Sequence, residues 1–297
     1  MFHVEPMKKT PHLKVKDHLV SNQEFLVSPN DSTGILETIP RPSKEEIHKY
    51  YESNSYISHK SDKTTVINFI YKIIRKYSFK RKHSIIRGFL KANKINLLDV
   101  GCGNGDFLMY CEKLGCNVEG IENNKNALIS SKMEKSLIVY NDFEQMQNSS
   151  NTILNNKRFD AITMWHSLEH LHDLGQVISN LQKSLSDKGV VLVACPNHLS
   201  YDAQYYNKDW AAYDAPRHLW HFNRASIQKL FAKHEMELVK VCPMRWDAFY
   251  ISMLSEKIKL GRLNIIKAMY IGFVSNFKAM FTKEYSSLLY VFQKNSK

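Results

Sequence analysis

Leu97-Leu98-Asp99-Val100-Gly101-Cys102-Gly103-Asn104-Gly105 is the stretch whose reading decides the fold. Its first four residues are mostly apolar and read as a buried strand, and three glycines at alternate positions read as a tight bend that ends it. Residues 106–114 continue with helical spacing. In an α/β sheet such a bend is where a nucleotide-like ligand meets the backbone, because glycine has no Cβ to hold the ligand off. The dinucleotide fingerprint G-x-G-x-x-G would need glycine at position 106, where the chain has Asp106. A carboxylate in the first helical turn repels a pyrophosphate, so the spacing favours a ligand without phosphates.

Outward from that turn, short apolar runs at 118–122, 137–140, 159–165 and 190–195 alternate with helical stretches at 125–133 and 174–185. Strands alternating with helices imply right-handed βαβ units and a mainly parallel sheet covered on both faces, a doubly wound α/β domain. Glu122 stands seventeen residues after Gly105, at the end of the second strand. An acidic side chain there is placed to accept both hydroxyls of a ribose.

The rest of the 297-residue chain bounds the function. Hydrophobic residues at 43% and charged residues at 24% exclude wholesale disorder, collagen-like sequence and a coiled-coil rod. The net charge of +12 divides unevenly, as +9 over 1–95, −4 over 96–195 and +7 over 196–297. An acidic centre between basic arms suits a cationic or polar cofactor, with the arms facing something anionic. No acidic residue occurs from Lys63 to Ile95, and Val66, Phe69, Ile70, Ile73 and Ile74 recur there at helical spacing among lysines and arginines. That basic amphipathic helix either packs on the domain or touches an anionic membrane. Five cysteines without a C-x-x-C indicate neither a disulfide framework nor a zinc ribbon and point to a reducing cytoplasm. The N-terminus lacks the apolar stretch of a signal peptide, and the apolar run at 268–274 falls far below the ~20 residues of a membrane span. A cytoplasmic location is expected, with a peripheral position at the inner membrane surface as the alternative.

Residues 1–42 read as a small extended or hairpin region closed by Pro40-Arg41-Pro42, and Ser43-Lys44-Glu45-Glu46 is a capping box that starts a short helix. Residues 201–222 form an aromatic-rich loop, 225–234 a helix, 238–242 a strand, 246–283 a mostly helical basic stretch and 288–292 a last strand. The expected divisions are a small N-terminal extension (1–60), basic amphipathic helices (61–95), a cofactor-binding core (96–245), and a helical insertion with the last strand (246–297).

Residues 96–195 resemble the class I S-adenosylmethionine-dependent methyltransferases, whose first motif is an acidic residue followed by G-x-G-x-G. The segment from Phe159 through Met164-Trp165-His166-Ser167-Leu168-Glu169-His170-Leu171 resembles the Leu-Glu-His stretch of a branch that includes ubiquinone-type O-methyltransferases. Trp210-Ala211-Ala212-Tyr213-Asp214-Ala215-Pro216-Arg217-His218-Leu219-Trp220-His221-Phe222 is similar to further bacterial members of that branch. The resemblance implies a Rossmann-like, seven-stranded, mainly parallel sheet with S-adenosylmethionine as cofactor. Asp99 and the turn Gly101, Cys102, Gly103 and Gly105 would hold its methionine end, Glu122 its ribose and Asn123 the adenine edge. Asp142 and Phe143 would form the adenine pair, and Met164 and Trp165 would sit beside the sulfonium. A sulfonium is favoured by nearby negative charge, in keeping with the acidic centre.

Transfer to a hydroxyl needs a base, and His166 and His170 are the candidates, because imidazole titrates near operating pH. The aromatic loop reads as an acceptor wall, with Tyr213, Arg217, His218 and His221 as substrate-binding residues, or else as a satellite core. A metal in the manner of quinone-type relatives would have only Glu169, His170 and Asp173 to hold it, with His166 where those relatives carry a carboxylate, so none is expected. The N-terminal segment resembles a module that is a zinc ribbon in some relatives, but no cysteine precedes Cys102 and the module here would be metal-free. The expected acceptor is a small or lipid-linked molecule methylated at oxygen, with peripheral contact to an anionic membrane. The alternatives are an RNA or DNA methyltransferase, motivated by the +12 but lacking the Asn/Asp-Pro-Pro-Tyr type of base-stacking motif, and a non-catalytic binding protein of the same fold.

Overall fold

The computed structural model describes residues 12–30, 33–51, 66–124, 137–149 and 158–295, with side chains from residue 76 onward in the helix that begins at 66. The expected helix at 125–133 and the apolar stripe from Val66 to Ile74 lie outside that description. In chain order the strands are β1 (Leu13–Lys16), β2 (Glu24–Pro29), β3 (Leu36–Ile39), β4 (Asn96–Val100), β5 (Asn117–Ile121), β6 (Ile138–Tyr140), β7 (Phe159–Trp165), β8 (Leu185–Pro196), β9 (Trp220–His221), β10 (Met236–Pro243) and β11 (Ser287–Lys294). The α-helices are α1 (Val66–Phe89), α2 (Asp106–Glu112), α3 (Phe143–Asn148), α4 (Leu174–Ser184), α5 (Tyr201–Tyr206), α6 (Arg224–Ala232), α7 (Asp247–Leu260) and α8 (Ile265–Thr282).

Two compact units share the chain, each assembled from three segments: the first from 1–59, 196–227 and 244–287, the second from 60–195, 228–243 and 288–297. Of the expected core of 96–245, residues 228–243 stay in the second unit, whereas 196–227 and 244–245 fall in the first. Aromatic residues of 201–222 instead pack with the N-terminal strands in the first unit.

The second unit is built on a seven-stranded sheet of order β10-β11-β8-β7-β4-β5-β6. β4 pairs in parallel with β5 on one side and β7 on the other, β5 with β6 and β7 with β8, while β10 and β11 are antiparallel. Val190 to Cys195 are buried without exception, as expected for a strand covered on both faces. α4 starts where the Asp173 carboxylate accepts from the Gln176 N–H at 2.9 Å, and it buries Leu174, Ile178 and Leu181 at one-turn spacing. From β4 the chain winds outward through β5 and β6, then returns to place β7 on β4's other side. The β4–β7 boundary is therefore the switch point of the sheet.

In the first unit β1-β2-β3-β9 form an antiparallel sheet. Val15, Phe25, Val27 and Leu36 of that sheet join Tyr206, Trp210 and Tyr213 in one buried cluster. The Asp202 carboxylate ties the stretch after β8 into the unit, accepting from Trp210 Nε1 (2.8 Å), Ser275 Oγ (2.6 Å) and Ser286 Oγ (2.6 Å). α7 and α8 pack closely at Gly272, where a Cβ would come within 2.6 Å of the Phe249 ring. Among the described residues no helix is long and apolar enough to cross a membrane.

Candidate functional site

The carboxyl ends of β6, β5, β4 and β7 lie side by side, because these strands are successive parallel neighbours. Each end carries residues singled out from the sequence: Asp142 after β6, Glu122 and Asn123 after β5, the glycine turn after β4, and Trp165 and His166 at β7. Open α/β sheets bind ligands along this edge, beside the switch point.

Gly101, Gly103 and Gly105 all have positive φ, at 76°, 56° and 71°. The first two serve different ends. A Cβ on Gly101 would come within 2.5 Å of Ser167 Cβ, and Ser167 is held in place by its Oγ donating to the Val100 carbonyl at 2.7 Å. Among the described residues nothing lies within 4 Å of the place a Cβ on Gly103 would take. The Gly103 N–H donates to Glu122 Oε2 at 2.9 Å, and the Asn124 N–H donates to Oε1 at 2.8 Å. The Glu122 N–H in turn donates to the Tyr140 carbonyl at 2.9 Å. Glu122 thus braces the turn after β4 against the end of β5, and each carboxylate oxygen retains a second lone pair for a ligand hydroxyl. Cys102 turns its thiol inward, where a Cβ on Gly120 would meet it at 2.7 Å, and burial pushes the thiol far above its ordinary range. Its backbone N–H donates to the Ile121 carbonyl at 3.1 Å, and its carbonyl accepts from the Gly105 N–H at 3.0 Å.

Asp99 lies one residue before the end of β4, in register with Gly120 on one side and Thr163 on the other. Its buried carboxylate accepts from Thr163 Oγ1 at 2.6 Å. Burial raises its pKa to about 6, against the lowering effects of the Thr163 hydroxyl and the Lys82 ammonium, while Glu122 adds to the rise. From about pH 4 to about pH 6 the folded chain keeps a proton on Asp99 that the unfolded chain has lost. This group's contribution to stability therefore falls as pH rises through that window and stays low above it. Asp99→Asn is expected to remove that slope and to raise stability at neutral pH by up to about 3 kcal/mol. Urea titrations on either side of the window check it; a slope unchanged in the variant would mean that another group titrates there.

Asp142 caps α3, with Oδ1 accepting from the Gln145 N–H at 2.8 Å, beside an open groove of about 530 Å³ lined by Tyr140, Asp142, Glu144 and Gln145. Phe143 opens the same helix and Asn123 is exposed. Met164 is fully buried within β7, and half-buried Trp165 stacks edge-on against Phe107 with the Lys82 ammonium 4.0 Å from its ring centroid. Lys82 reads in the sequence as one more charge of the basic stripe, and Thr163 and Ser167 carry no signal of their own there. Strand register brings Thr163 to the site, loop packing Ser167, and the packing of α1 Lys82.

His166 follows β7 in the left-handed region, with φ 55°, fixed by its N–H donating to the Ala194 carbonyl at 3.0 Å. Its Nδ1 is 3.4 Å from Glu169 Oε1, and the buried Glu169 carboxylate accepts from the Cys195 thiol at 3.6 Å. His170 lies in the short 3₁₀ turn Leu168–His170, its N–H bonded to the Ser167 carbonyl. Asp173 caps α4.

The four residues expected to bind substrate belong to the first unit and have partners within it. Tyr213 is buried in the cluster with Trp210. Arg217 is 1% exposed and ion-paired to Asp17 and Asp214. His221 sits in β9, its Nε2 3.0 Å from Thr38 Oγ1, and His218 Nδ1 lies 2.8 Å from the Ala212 carbonyl. These contacts lie within the first unit.

The chain is similar to solved structures that include the cyclopropane synthase MmaA2 from Mycobacterium tuberculosis, at 17% identity over 72% of this chain and 83% of that one, with a TM-score of 0.47. Another is a SAM-dependent methyltransferase from Archaeoglobus fulgidus, at 16% identity over 74% and 94% of the two chains and the same TM-score of 0.47. Comparison with curated proteins returns no match. The family model for a methyltransferase domain matches residues 71–241, more than half of the sequence and all of the strand ends just described, and the chain belongs to that family.

Proposed function

We propose that this chain is an S-adenosylmethionine-dependent methyltransferase whose cofactor lies along the carboxyl ends of β4 to β7. The observation that carries the reading is the Glu122 carboxylate held by the Gly103 and Asn124 N–H groups, with open space among the described residues where a Cβ on Gly103 would stand. Those features fit a nucleoside without phosphates. Glu122 would take the ribose hydroxyls, Asp142 and Phe143 the adenine, and Gly101 to Gly105 the methionine end above Asp99. When bound, S-adenosylmethionine supplies an activated methyl group on a positively charged sulfur.

The chain's own contribution is alignment and proton removal. Glu122 and the glycine turn orient the donor, and such positioning supplies much of the acceleration of a displacement at carbon. His166, with its Nδ1 3.4 Å from Glu169 Oε1, would take the proton of an acceptor hydroxyl. Oxygen as the methylated atom is supported by the likeness of the stretch ending in Leu168-Glu169-His170 to ubiquinone-type O-methyltransferases. A small or lipid-linked acceptor, with the protein touching an anionic membrane, completes the reading.

Calorimetry with S-adenosylmethionine and its demethylated product tests it. The folded chain is expected to bind both. Gly103→Arg, which would fill that open space, is expected to abolish both heats, whereas Gly103→Asn, a residue that tolerates positive φ, retains binding. Absence of heat with either ligand in the folded parent chain refutes the proposal.

A further inference from the structure

α8 presents an unusual surface. Its buried residues, Ala268, Ile271, Gly272, Ser275 and Ala279, form one stripe of mostly small residues facing the interior of the first unit. On an ordinary surface helix the opposite arc is polar. Here that arc runs through Ile266, Tyr270, Phe273, Phe277 and Phe281, at spacings of four, three, four and four residues, with Ile266 85% and Phe281 74% exposed. On the neighbouring α7, Tyr250 and Leu254 are also exposed. Single exposed apolar residues are normal, but a continuous row of large ones marks an interaction surface.

Charge decides what the surface fits. From residue 257 to residue 283 the sequence has six basic residues and no acidic one. Lys257, Lys259 and Arg262 are exposed around the turn between α7 and α8, and Lys278 flanks the apolar arc with its ammonium 3.8 Å from the Tyr201 ring centroid. A second copy docking through this face about a two-fold axis would bring like charges together. An anionic bilayer complements both features, taking the aromatic and aliphatic row into the headgroup boundary and the cations against the lipid phosphates.

We infer that the α7–α8 hairpin is a membrane-docking surface that seats the protein on anionic lipid through the row from Ile266 to Phe281. The inference rests on the reading of a membrane-borne acceptor only for its purpose, since docking needs no cofactor; vesicle binding and S-adenosylmethionine binding fail independently.

The test is co-sedimentation of the full chain with vesicles of phosphatidylcholine alone and of phosphatidylcholine mixed with phosphatidylglycerol, at low and at about 0.1 M salt. Binding to the mixed vesicles, weakened by salt and weak on phosphatidylcholine alone, is expected. Phe273→Glu with Phe277→Glu, at positions whose exposure leaves the core untouched, is expected to reduce that binding by more than about tenfold. Lys257→Gln with Arg262→Gln is expected to reduce it by about fivefold per charge on anionic vesicles only. Two results would overturn the inference: no binding to anionic vesicles at low salt, or a dimer in sedimentation equilibrium that the Phe→Glu pair dissociates. Circular dichroism matching the parent's establishes that the variants are folded.

Discussion

Exchanging Arg217 for methionine is expected to cost about 3–5 kcal/mol of folding free energy, a large share of the stability of an ordinary domain. The guanidinium is 1% exposed and fully engaged. Nη2 donates to Asp17 Oδ1 at 3.0 Å and to Asp214 Oδ1 at 2.6 Å, Nε reaches both Asp214 oxygens, and Nη1 donates to the Tyr50 carbonyl at 3.0 Å. Asp17 is fully buried, so methionine would leave its charge supported only by the Leu19, Val20 and Ser21 N–H groups and the Ser21 hydroxyl. Burial pushes the Asp17 pKa up, but the Ser21 N–H and the Arg217 charge outweigh it and hold the group below its ordinary 3.8. Stability from that depression is present above pH 4 and is lost as pH falls through the folded value. The deficit of Arg217→Met should therefore shrink in acid. Adding Asp17→Asn should recover part of it at neutral pH, because removing both charges is milder than stranding one. Urea unfolding of the two variants measures this; a loss under about 1 kcal/mol for Arg217→Met would mean that water screens the cluster.

Glu122→Ala is expected to weaken S-adenosylmethionine binding by about 100-fold or more, with a smaller effect on stability. One side chain meets two demands: it accepts from the Gly103 and Asn124 N–H groups, and in the proposed function its remaining lone pairs would take the ribose hydroxyls. Hydrogen bonds to a charged acceptor contribute roughly 1.5–3 kcal/mol each, so losing two reaches the stated factor. Glu122→Gln separates the demands. Its amide oxygen can accept from one of the two N–H groups, but its NH₂ would face the other donor, so the turn is disturbed and affinity should fall nearly as far. Calorimetry gives the affinities and thermal unfolding the stability. Unaltered affinity in both variants would remove Glu122 from the cofactor site.

The second unit was largely legible because local pattern and global role agree there. Asp99 to Gly105, the buried runs of β7 and β8, and Glu122 at the end of β5 are local features, and their alternation with helices implies parallel neighbours. The sequence left unsettled whether the aromatic stretch from Tyr201 to Phe222 walls a pocket or forms a core. Aromatic residues suit either role, and burial separates the two. Arg217 shows why: its partners Asp17 and Tyr50 lie more than 160 residues away in sequence, and no spacing rule reaches that far. Lys82 likewise reads as a solvated charge until α1 lays it over Trp165.

The sequence by itself determined the alternation of strands and helices, the glycine turn and the carboxylate that follows it, since each is a property of a few adjacent residues and of the backbone conformations they permit. The tertiary structure alone decided which polar groups are enclosed and with whom. It gave Asp99 to Thr163, Glu122 to Gly103 and Arg217 to Asp17, and it left one face of α8 in water. Burial and long-range pairing depend on which surfaces meet, and no local pattern carries that information.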